Sequence, residues 1–320
     1  MLLYAVLFLV GILLLYVGAE GLVHGASSIA LRYGIPAGTV GVTVVALGTS
    51  MPEFLVNFFA VFADDSPLAL GNIVGSNISN VALILGCSAL VLPLTVSPGI
   101  LRREYPVMLG VMVLFYVCAL DGTIGAGDGL VMVLLLIGLA AYLFYDARRA
   151  ATARILDQLE QDAQRADADR PGWIQAGVLV GGSLALGVGA HLMVRSASWM
   201  AYQLGVPSMI IGLSIVAIGT SLPELAASIV GALRNKGDLS VGNVMGSNLL
   251  NVLFVVGVIA LFTPMEVEPR ALRLDFPIML FFCALLAPLS WPNARLSRAS
   301  GGLLLTGFVS YMAYLLFPYL

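Results

Sequence analysis

The sequence has very little charge. Only 10% of its residues are Asp, Glu, Lys or Arg, whereas about a quarter of a soluble domain is charged. With 60% hydrophobic residues among 320 and a mean hydropathy of +1.00, the chain cannot cover a water-facing surface. This excludes a soluble globular protein, and the net charge of −3 gives no reason to expect nucleic acid as a partner. We therefore predict an all-α polytopic membrane protein whose solvent is the lipid bilayer.

Cysteine is also scarce. The three cysteines, Cys87, Cys118 and Cys283, lie in apolar runs without CxxC spacing, which indicates packing positions and disfavours a cysteine metal centre. The first residues lack the basic stretch that opens a signal peptide, so we interpret them as the first membrane span. No pattern in the sequence indicates a cofactor or an obligate protein partner.

Hydropathy predicts ten spanning helices, since a helix needs about 20 apolar residues to cross a bilayer. The predicted spans are 3–30, 37–62, 68–93, 104–120, 127–145, 173–200, 208–233, 239–262, 274–290 and 299–318. One stretch, 146–172, is rich in charge and is predicted to be a solvated linker with some helix.

The distribution of basic residues predicts the orientation. With both termini outside, twelve of the fifteen Lys and Arg residues fall on the cytoplasmic side, and only Arg195, Arg270 and Arg273 do not. Because cytoplasmic loops carry an excess of Lys and Arg, we expect both termini outside and the 146–172 loop in the cytoplasm.

The sequence repeats itself at a shift of 171 residues. GVTVVALGTSMPE (41–53) corresponds to GLSIVAIGTSLPE (212–224), and LGNIVGSNISNVALILG (70–86) corresponds to VGNVMGSNLLNVLFVVG (241–257). Each repeat holds five predicted spans, and an odd number inverts the second repeat relative to the first. The predicted organisation is therefore a first inverted repeat at 1–145 with its motif at 41–86, the linker, and a second repeat at 173–320 with its motif at 212–257.

Two acidic residues, Glu53 and Glu224, fall in the middle of predicted spans. A charge at that depth is costly and is by default a functional hypothesis. Arg195 is the only basic residue well inside a predicted span, so the sequence does not offer a basic partner for each of the two carboxylates. We therefore predict an ion site around them near the membrane midplane.

The residues before each glutamate predict a broken helix. Pro52 and Pro223 remove a helix hydrogen bond, and broken backbone at membrane depth is tolerated where it lines a cavity or is buried in protein. The candidate ligands of this motif are the carbonyls near Ala46 and Ala217 and the side chains of Thr49, Ser50, Glu53, Thr220, Ser221 and Glu224.

The second motif adds further oxygen donors. They are Ser76, Asn77 and Asn80, with Ser247, Asn248 and Asn251 at the corresponding positions. A flexible site built only from oxygen suits Ca²⁺, and subsets of it suit Na⁺, whereas soft metals are disfavoured.

The two motifs closely resemble the paired repeats of the cation/calcium exchanger superfamily, in particular the prokaryotic sodium/calcium exchangers, over nearly the whole chain. The resemblance implies ten spans in two inverted halves, located in a prokaryotic inner membrane, and an antiporter that exchanges Na⁺ for Ca²⁺. It implies that the ion ligands are Ala46, Thr49, Ser50, Glu53, Ser76, Asn80, Ala217, Thr220, Ser221, Glu224, Ser247 and Asn251. Some members carry an aspartate where this chain has Asn251. Both copies read GSN, which favours Na⁺ over H⁺ as the coupling ion.

Parts of the sequence are also compatible with other functions. Exchange driven by H⁺, or dependent on K⁺, uses a similar site, and a cation channel would also place acidic residues at a constriction. An intramembrane aspartyl protease is suggested by Gly125–Asp128 and Tyr145–Asp146. However, the order of these motifs is reversed, and Asp128 and Asp146 lie roughly 27 Å apart along one predicted helix. We therefore expect a transporter and not an enzyme.

Overall fold

The computed structural model describes residues 1–33, 35–62, 66–158, 172–205, 217–290 and 294–316, nearly all of them helical. The α-helices are α1 (Leu2–Tyr33), α2 (Ala37–Val40), α3 (Ala46–Phe62), α4 (Ser66–Ser79), α5 (Leu85–Val91), α6 (Tyr105–Ala119), α7 (Ala126–Gln158), α8 (Gly172–Gln203), α9 (Ala217–Gly219), α10 (Leu222–Leu233), α11 (Gly237–Leu250), α12 (Gly257–Phe262), α13 (Phe276–Ser290) and α14 (Arg298–Leu316).

Widened π-helical turns join several of these helices. They are Gly41–Val45, Asn80–Ile84, Ile100–Glu104, Asn251–Val256 and Ala271–Asp275. Two of them begin at Asn80 and Asn251, which are 171 residues apart. Since π-turns are rare and often occur at functional sites, they mark these two asparagines as special positions in the backbone.

Six helical stretches of the described chain are long and apolar enough to cross a membrane, which confirms six of the ten predicted spans by length and composition. They are Leu2–Ala30, Ala69–Val91, Ala126–Asp146, Trp173–Gln203, Gly237–Phe262 and Ala271–Ser290. Two shorter apolar helices, Gly38–Met51 and Leu222–Leu233, lie within the predicted spans 37–62 and 208–233. The count of ten spans stays a prediction.

The predicted span 127–145 lies within α7, which continues to Gln158, so the stretch 146–172 begins with helix, as expected. The break expected at Pro52 is wrong, since α3 runs unbroken from Ala46 to Phe62 and the distortion lies about two turns earlier, at Gly41–Val45. One amide donor missing at Pro52 does not end a helix that packs against α4 and α11.

Two short strand pairs connect the halves of the chain. Strand β1 (Leu94–Thr95) pairs with β4 (Arg295–Leu296), and β2 (Thr123–Ile124) pairs with β3 (Met265–Glu266). Because β1 precedes α6 and β2 follows it, while β3 precedes α13 and β4 follows it, α6 and α13 run antiparallel. These two helices correspond at the 171-residue shift.

Helices α1 and α8 cross closely at matched glycines. A Cβ atom added at Gly11 would lie 2.8 Å from the carbonyl oxygen of Gly189, and one added at Gly18 would lie 2.8 Å from that of Gly182. Gly11 corresponds to Gly182, and Gly18 to Gly189, at the same shift of 171. The absence of side chains here lets the two backbones touch.

The helices that carry the second motif lie at the centre of the molecule. In Ala69–Val91 and Gly237–Phe262, 78% of the most apolar window is buried, compared with 17–28% in the other four spans. Their apolar residues form the main core together with α6 and α13, and Cys283 and the half-buried Cys118 pack within or against it. The polar residues of these helices are therefore buried inside protein and do not face lipid.

Candidate cation-binding site

The two mid-span glutamates are fully enclosed. Glu53, in the middle of α3, is 1% exposed, and Glu224, in the first turn of α10, is 0% exposed. Among the described residues, Arg103 pairs with Asp146 and Arg234 pairs with Glu20, and neither buried carboxylate has a basic partner there. A buried charge without a partner is strongly unfavourable, and a bound cation would supply the missing counter-charge.

In each half, the serine of the first motif donates a hydrogen bond to the glutamate of the other half. Ser50 Oγ donates to Glu224 Oε1 over 3.2 Å, and Ser221 Oγ donates to Glu53 Oε1 over 3.4 Å. Each carboxylate therefore receives a hydroxyl from the half that does not contain it. The motifs of the two halves meet in one site, as their shared spacing predicts.

The second motif reaches the same place. Ser247 Oγ lies 3.0 Å from Ser50 Oγ, within hydrogen-bond distance, while Ser76 and Asn251 adjoin the Glu53 carboxyl. Asn80, which corresponds to Asn251 in the first half, is completely buried and likewise begins a π-turn. Hydroxyl and amide groups thus surround the glutamates from both sides.

Several oxygens of this cluster have no hydrogen-bond partner although they are buried. They are Glu53 Oε2, Glu224 Oε2, Ser76 Oγ, Asn80 Oδ1 and Asn251 Oδ1. A buried acceptor without a partner costs about 1–3 kcal/mol, more when it is charged. Five such atoms in one cluster form a set of ligands that a hard cation would satisfy.

The threonine and alanine positions are only partly described. Thr49 is fully buried, and its hydroxyl lies 3.3 Å from both the Ala46 carbonyl and Asn243 Oδ1. Thr220 lies half-buried at the interruption between α9 and α10, and Ala217 is the first residue of α9. The expected ligand role of the Ala46 and Ala217 carbonyls stays a prediction.

Two of the predicted ligands already use their amide oxygens elsewhere. Asn248 Oδ1 accepts from Asn80 Nδ2 over 2.9 Å, and Asn77 Oδ1 accepts from Asn251 Nδ2 over 3.2 Å. The amide oxygens of Asn77 and Asn248 are therefore bonded to Asn251 and Asn80 and are not among the unpartnered oxygens.

Sequence reasoning missed a second polar layer. Asn243 Nδ2 donates to Ser228 Oγ over 3.2 Å while its oxygen faces Thr49. At the corresponding positions of the first half, Asn72 Nδ2 donates to Asn57 Oδ1 over 3.0 Å. The signal was present, because Asn72 and Asn243 are the asparagines of the repeated GN pair, and Asn57 and Ser228 each follow a glutamate by four residues.

The donor set is chemically narrow. Within the described residues no group of three or more His, Cys, Asp or Glu side chains is arranged to hold a metal ion. A cation here would be bound by two carboxylates and neutral hydroxyl, amide and carbonyl oxygens, which is the chemistry of Ca²⁺ and Na⁺ and not of zinc or copper.

Comparison with known proteins agrees with this chemistry. The family described as sodium/calcium exchanger protein matches residues 3–145 and 174–317, which is nearly the whole chain. The protein belongs to the sodium/calcium exchanger family. The resemblance inferred from the two motifs is confirmed, and the chain is an integral membrane protein of a cation exchanger family.

Three similar proteins match this chain over nearly their full length. The inner membrane protein YrbG of Escherichia coli is 37% identical, over 98% of this chain and 97% of its own. The sodium/calcium exchanger MaX1 of Methanosarcina acetivorans is 30% identical, over 97% and 98% respectively. The solved structure of the sodium-calcium exchanger NCX_Mj soaked with 10 mM Na⁺ and no Ca²⁺ covers 98% of both chains with a TM-score of 0.83 and 30% identity.

The acidic residues that suggested a protease have other partners in this exchanger. Asp128 Oδ2 accepts from the Gly125 backbone amide over 2.9 Å at the start of α7, and Asp146 pairs with Arg103 over 3.0 Å. They lie near the start of α7 and within its C-terminal half, so they do not share a site.

Proposed function

We propose that this protein exchanges Na⁺ for Ca²⁺ across a prokaryotic inner membrane by alternating access. The observation that carries the proposal is the enclosed pair of glutamates, each hydrogen-bonded by a serine of the opposite half and surrounded by unpartnered buried oxygens. The ligands are the twelve residues implied by the family resemblance, with the two carboxylates as the charged members.

Charge explains how one site serves both ions. Two ionised glutamates give −2, so one Ca²⁺ makes the site neutral and three Na⁺ make it +1. Because no described basic residue pairs with either glutamate, the site cannot be left empty cheaply. Ions of one kind therefore leave only as the other kind replaces them, which is the requirement for an exchanger.

The arrangement of the chain supports alternating access. Helices α6 and α13, related by the 171-residue shift, run antiparallel, and α1 and α8 cross at glycines related by the same shift. We infer ten spans in two inverted halves, 1–145 and 173–320, joined by the 146–172 linker. A site between inverted halves can be opened to either side by equivalent movements.

The inferred orientation has both termini outside and the linker in the cytoplasm. It rests on the twelve basic residues that this orientation places on the cytoplasmic side. Cysteines introduced near residue 160 and near the N-terminus, labelled by an impermeant thiol reagent in intact cells, test it. Labelling of the N-terminal position and protection of position 160 are expected, and the reverse pattern overturns the orientation.

Ca²⁺ uptake into proteoliposomes tests the exchange itself. We expect uptake when an outward Na⁺ gradient is imposed, and no uptake with K⁺ or H⁺ gradients of equal size. Uptake driven by an H⁺ gradient alone, or by Na⁺ only when K⁺ is present, would establish a proton-driven or K⁺-dependent exchanger. Ca²⁺ flux without any counter-ion would establish a channel.

A further inference from the structure

Four buried asparagines form two crossed pairs at the candidate site. Asn80 Nδ2 donates to Asn248 Oδ1, and Asn251 Nδ2 donates to Asn77 Oδ1. All four side chains are at most 1% exposed. Each pair joins the two halves, and one pair is the image of the other at the 171-residue shift.

The amide nitrogen of Asn77 points away from the site, into sulfur. Its Nδ2 atom lies 3.7 Å from Met112 Sδ and 3.7 Å from Met279 Sδ. Both methionines are completely buried. They are weak acceptors with no proton to donate, so they accommodate the NH₂ end of the amide and leave its oxygen facing Asn251.

Asn248 has the same surroundings. Its Nδ2 atom lies 3.9 Å from Cys283 Sγ, 4.0 Å from Met108 Sδ and 3.4 Å from the Asn77 carbonyl oxygen. At the shift of 171, Met108 corresponds to Met279 and Met112 corresponds to Cys283. The sulfur lining is therefore a feature of both halves.

This lining gives the amide network a direction. Because the NH₂ groups of Asn77 and Asn248 face sulfur, their oxygens face the partner asparagines. Asn251, the partner of Asn77, and Asn80, the partner of Asn248, therefore present their own NH₂ groups. The oxygens of Asn251 and Asn80 are left over, and both are buried without a hydrogen-bond partner. The two unpartnered amide oxygens of the cation site thus follow from where the sulfurs lie.

We propose that Asn77 and Asn248 are positioning residues and not ligands. Together with the sulfur groups of α6 and α13, they hold the amide oxygens of Asn251 and Asn80 towards the transported cation, each across the boundary between the halves. The inference rests on the proposed cation site and extends it to residues that do not touch the ion.

A double-mutant cycle separates positioning from ligation. If Asn77 acts through Asn251, Asn77→Leu raises the apparent KM for Ca²⁺ about tenfold but has no further effect in an Asn251→Leu background. The matched control is Asn77→Leu combined with Asn80→Leu, where the two effects should multiply because Asn80 pairs with Asn248. Multiplication in both combinations would overturn the proposal and make Asn77 a ligand.

The sulfurs are tested without touching any asparagine. The double variant Met112→Leu/Met279→Leu keeps the volume of the core and removes the acceptors that face Asn77. We expect a rise of about threefold in the KM for Ca²⁺ with little change in kcat. The matched control is Met132→Leu/Met265→Leu, two equally buried methionines elsewhere, which should change neither. Equal effects of both double variants, or no effect of the first, contradict the proposed role of sulfur.

Equilibrium binding of ⁴⁵Ca²⁺ to the purified full chain keeps this test independent of the proposed function. If the wild type binds no Ca²⁺, and Glu53→Gln changes nothing, the proposed cation site fails. If the wild type binds Ca²⁺ and Glu53→Gln does not, the cation site stands. If the effects of Asn77→Leu and Asn251→Leu on the KM then multiply, only the positioning role fails. Variants that do not elute as a single species in detergent are replaced by the methionine pair, which is designed to preserve packing.

Discussion

In the first half of the chain Glu53 lies in the middle of α3, an unbroken helix, whereas in the second half Glu224 lies in the first turn of α10 after an interruption at Thr220 and Ser221. At that interruption the Ser221 amide donates to the Ile218 carbonyl over 3.1 Å, and the Leu225 amide resumes helical bonding to Ser221. Nearly identical sequences therefore have two different backbones. The motif GTSxPE permits both, so the difference is set by packing and not by local preference.

The two glutamates are consequently not electrostatically equivalent. Glu224 lies where the backbone amides at a helix N-terminus favour negative charge, while Glu53 lies in a helix interior and has no such support. Their neighbours nevertheless correspond, since each accepts a hydrogen bond from the serine of the opposite half. The two halves therefore place corresponding residues around one candidate site from backbones of different conformation.

The largest expected effect comes from neutralising either glutamate. Glu53→Gln and Glu224→Gln should each reduce Na⁺-driven Ca²⁺ flux more than 100-fold, because one carboxylate leaves a divalent ion only half neutralised in a setting of low dielectric constant. Proteoliposome uptake measures this. The matched control is Glu20→Gln, which removes only a partly exposed ion pair with Arg234 and should have little effect. Near-normal flux in either buried variant would contradict the site.

The crossed serines are expected to come next. Ser50→Ala and Ser221→Ala each remove a hydroxyl that donates to a buried carboxylate, and a hydrogen bond to a charged group contributes about 1.5–3 kcal/mol. We expect a loss in Ca²⁺ kcat/KM of roughly 10- to 100-fold for each. Ser79→Ala, at a buried serine outside the glutamate cluster, is the control. Similar losses would show that the halves are functionally matched despite their different helices, and a loss in one only would break that symmetry.

Voltage dependence sharpens the comparison further. With two carboxylates the site is neutral with Ca²⁺ and +1 with three Na⁺, so Na⁺/Na⁺ exchange should respond to membrane potential and Ca²⁺/Ca²⁺ exchange should not. Asn251→Asp adds one negative charge, so the site would be −1 with Ca²⁺ and neutral with three Na⁺. Ca²⁺/Ca²⁺ exchange should then respond to membrane potential and Na⁺/Na⁺ exchange should not. Asn80→Asp should have the same effect if the halves are equivalent.

The size of this effect follows from the position of the charge. One charge crossing about half the membrane experiences roughly 1.1 kcal/mol per 100 mV, which is about a sixfold change in rate. Self-exchange at potentials clamped with valinomycin measures it. A wild-type Ca²⁺/Ca²⁺ exchange that is as voltage-sensitive as Na⁺/Na⁺ exchange would rule out a site charge of −2.

The smallest effect on transport is expected at the matched glycines of the first motif, Gly48 and Gly219, where the expected change is in stability. A Cβ atom at Gly48 would lie 2.5 Å from Ser183 Oγ, which can rotate away, whereas one at Gly219 would collide with the branched side chain of Val194. Gly219→Ala should therefore destabilise the protein by about 1–3 kcal/mol. Gly48→Ala should cost less, because alanine favours an intact helix.

Thermal unfolding in detergent compares the two variants. Val194→Ala should restore stability to Gly219→Ala and give no benefit to Gly48→Ala. If both glycine variants unfold at the same temperature, the difference in local packing between the halves does not affect stability.

Much of the site was predictable because its signals are local. Low charge, apolar length and a repeat at a fixed spacing need no knowledge of the fold, and a mid-span glutamate stands out by its cost alone. Asn77 and Asn248 were predicted as ligands from spacing alone, and spacing along a helix cannot show that their amide oxygens accept from Asn251 and Asn80. Asn72 and Asn243 were overlooked because a polar residue beside a glycine looks like a helix contact until its partner is known.

The break at Pro52 was predicted wrongly for a related reason. Proline removes one hydrogen bond from the interior of a helix, but whether the helix is interrupted there depends on the residues that pack around it. In the first half the distortion moves to Gly41–Val45, where the chain crosses α11 closely at Gly242. In the second half it stays next to Pro223.

By itself, the sequence determined that this chain lies in a membrane and carries two related motifs, and it predicted a site of oxygen ligands around two carboxylates, because composition and periodicity follow from the solvent each residue faces. The tertiary structure alone decided which serine meets which glutamate, which amide oxygens stay free, and which helix is interrupted. Those features depend on contacts between residues about 170 positions apart, such as Ser50 with Glu224 and Asn80 with Asn248, and no local pattern in the sequence encodes the direction of a hydrogen bond across that distance.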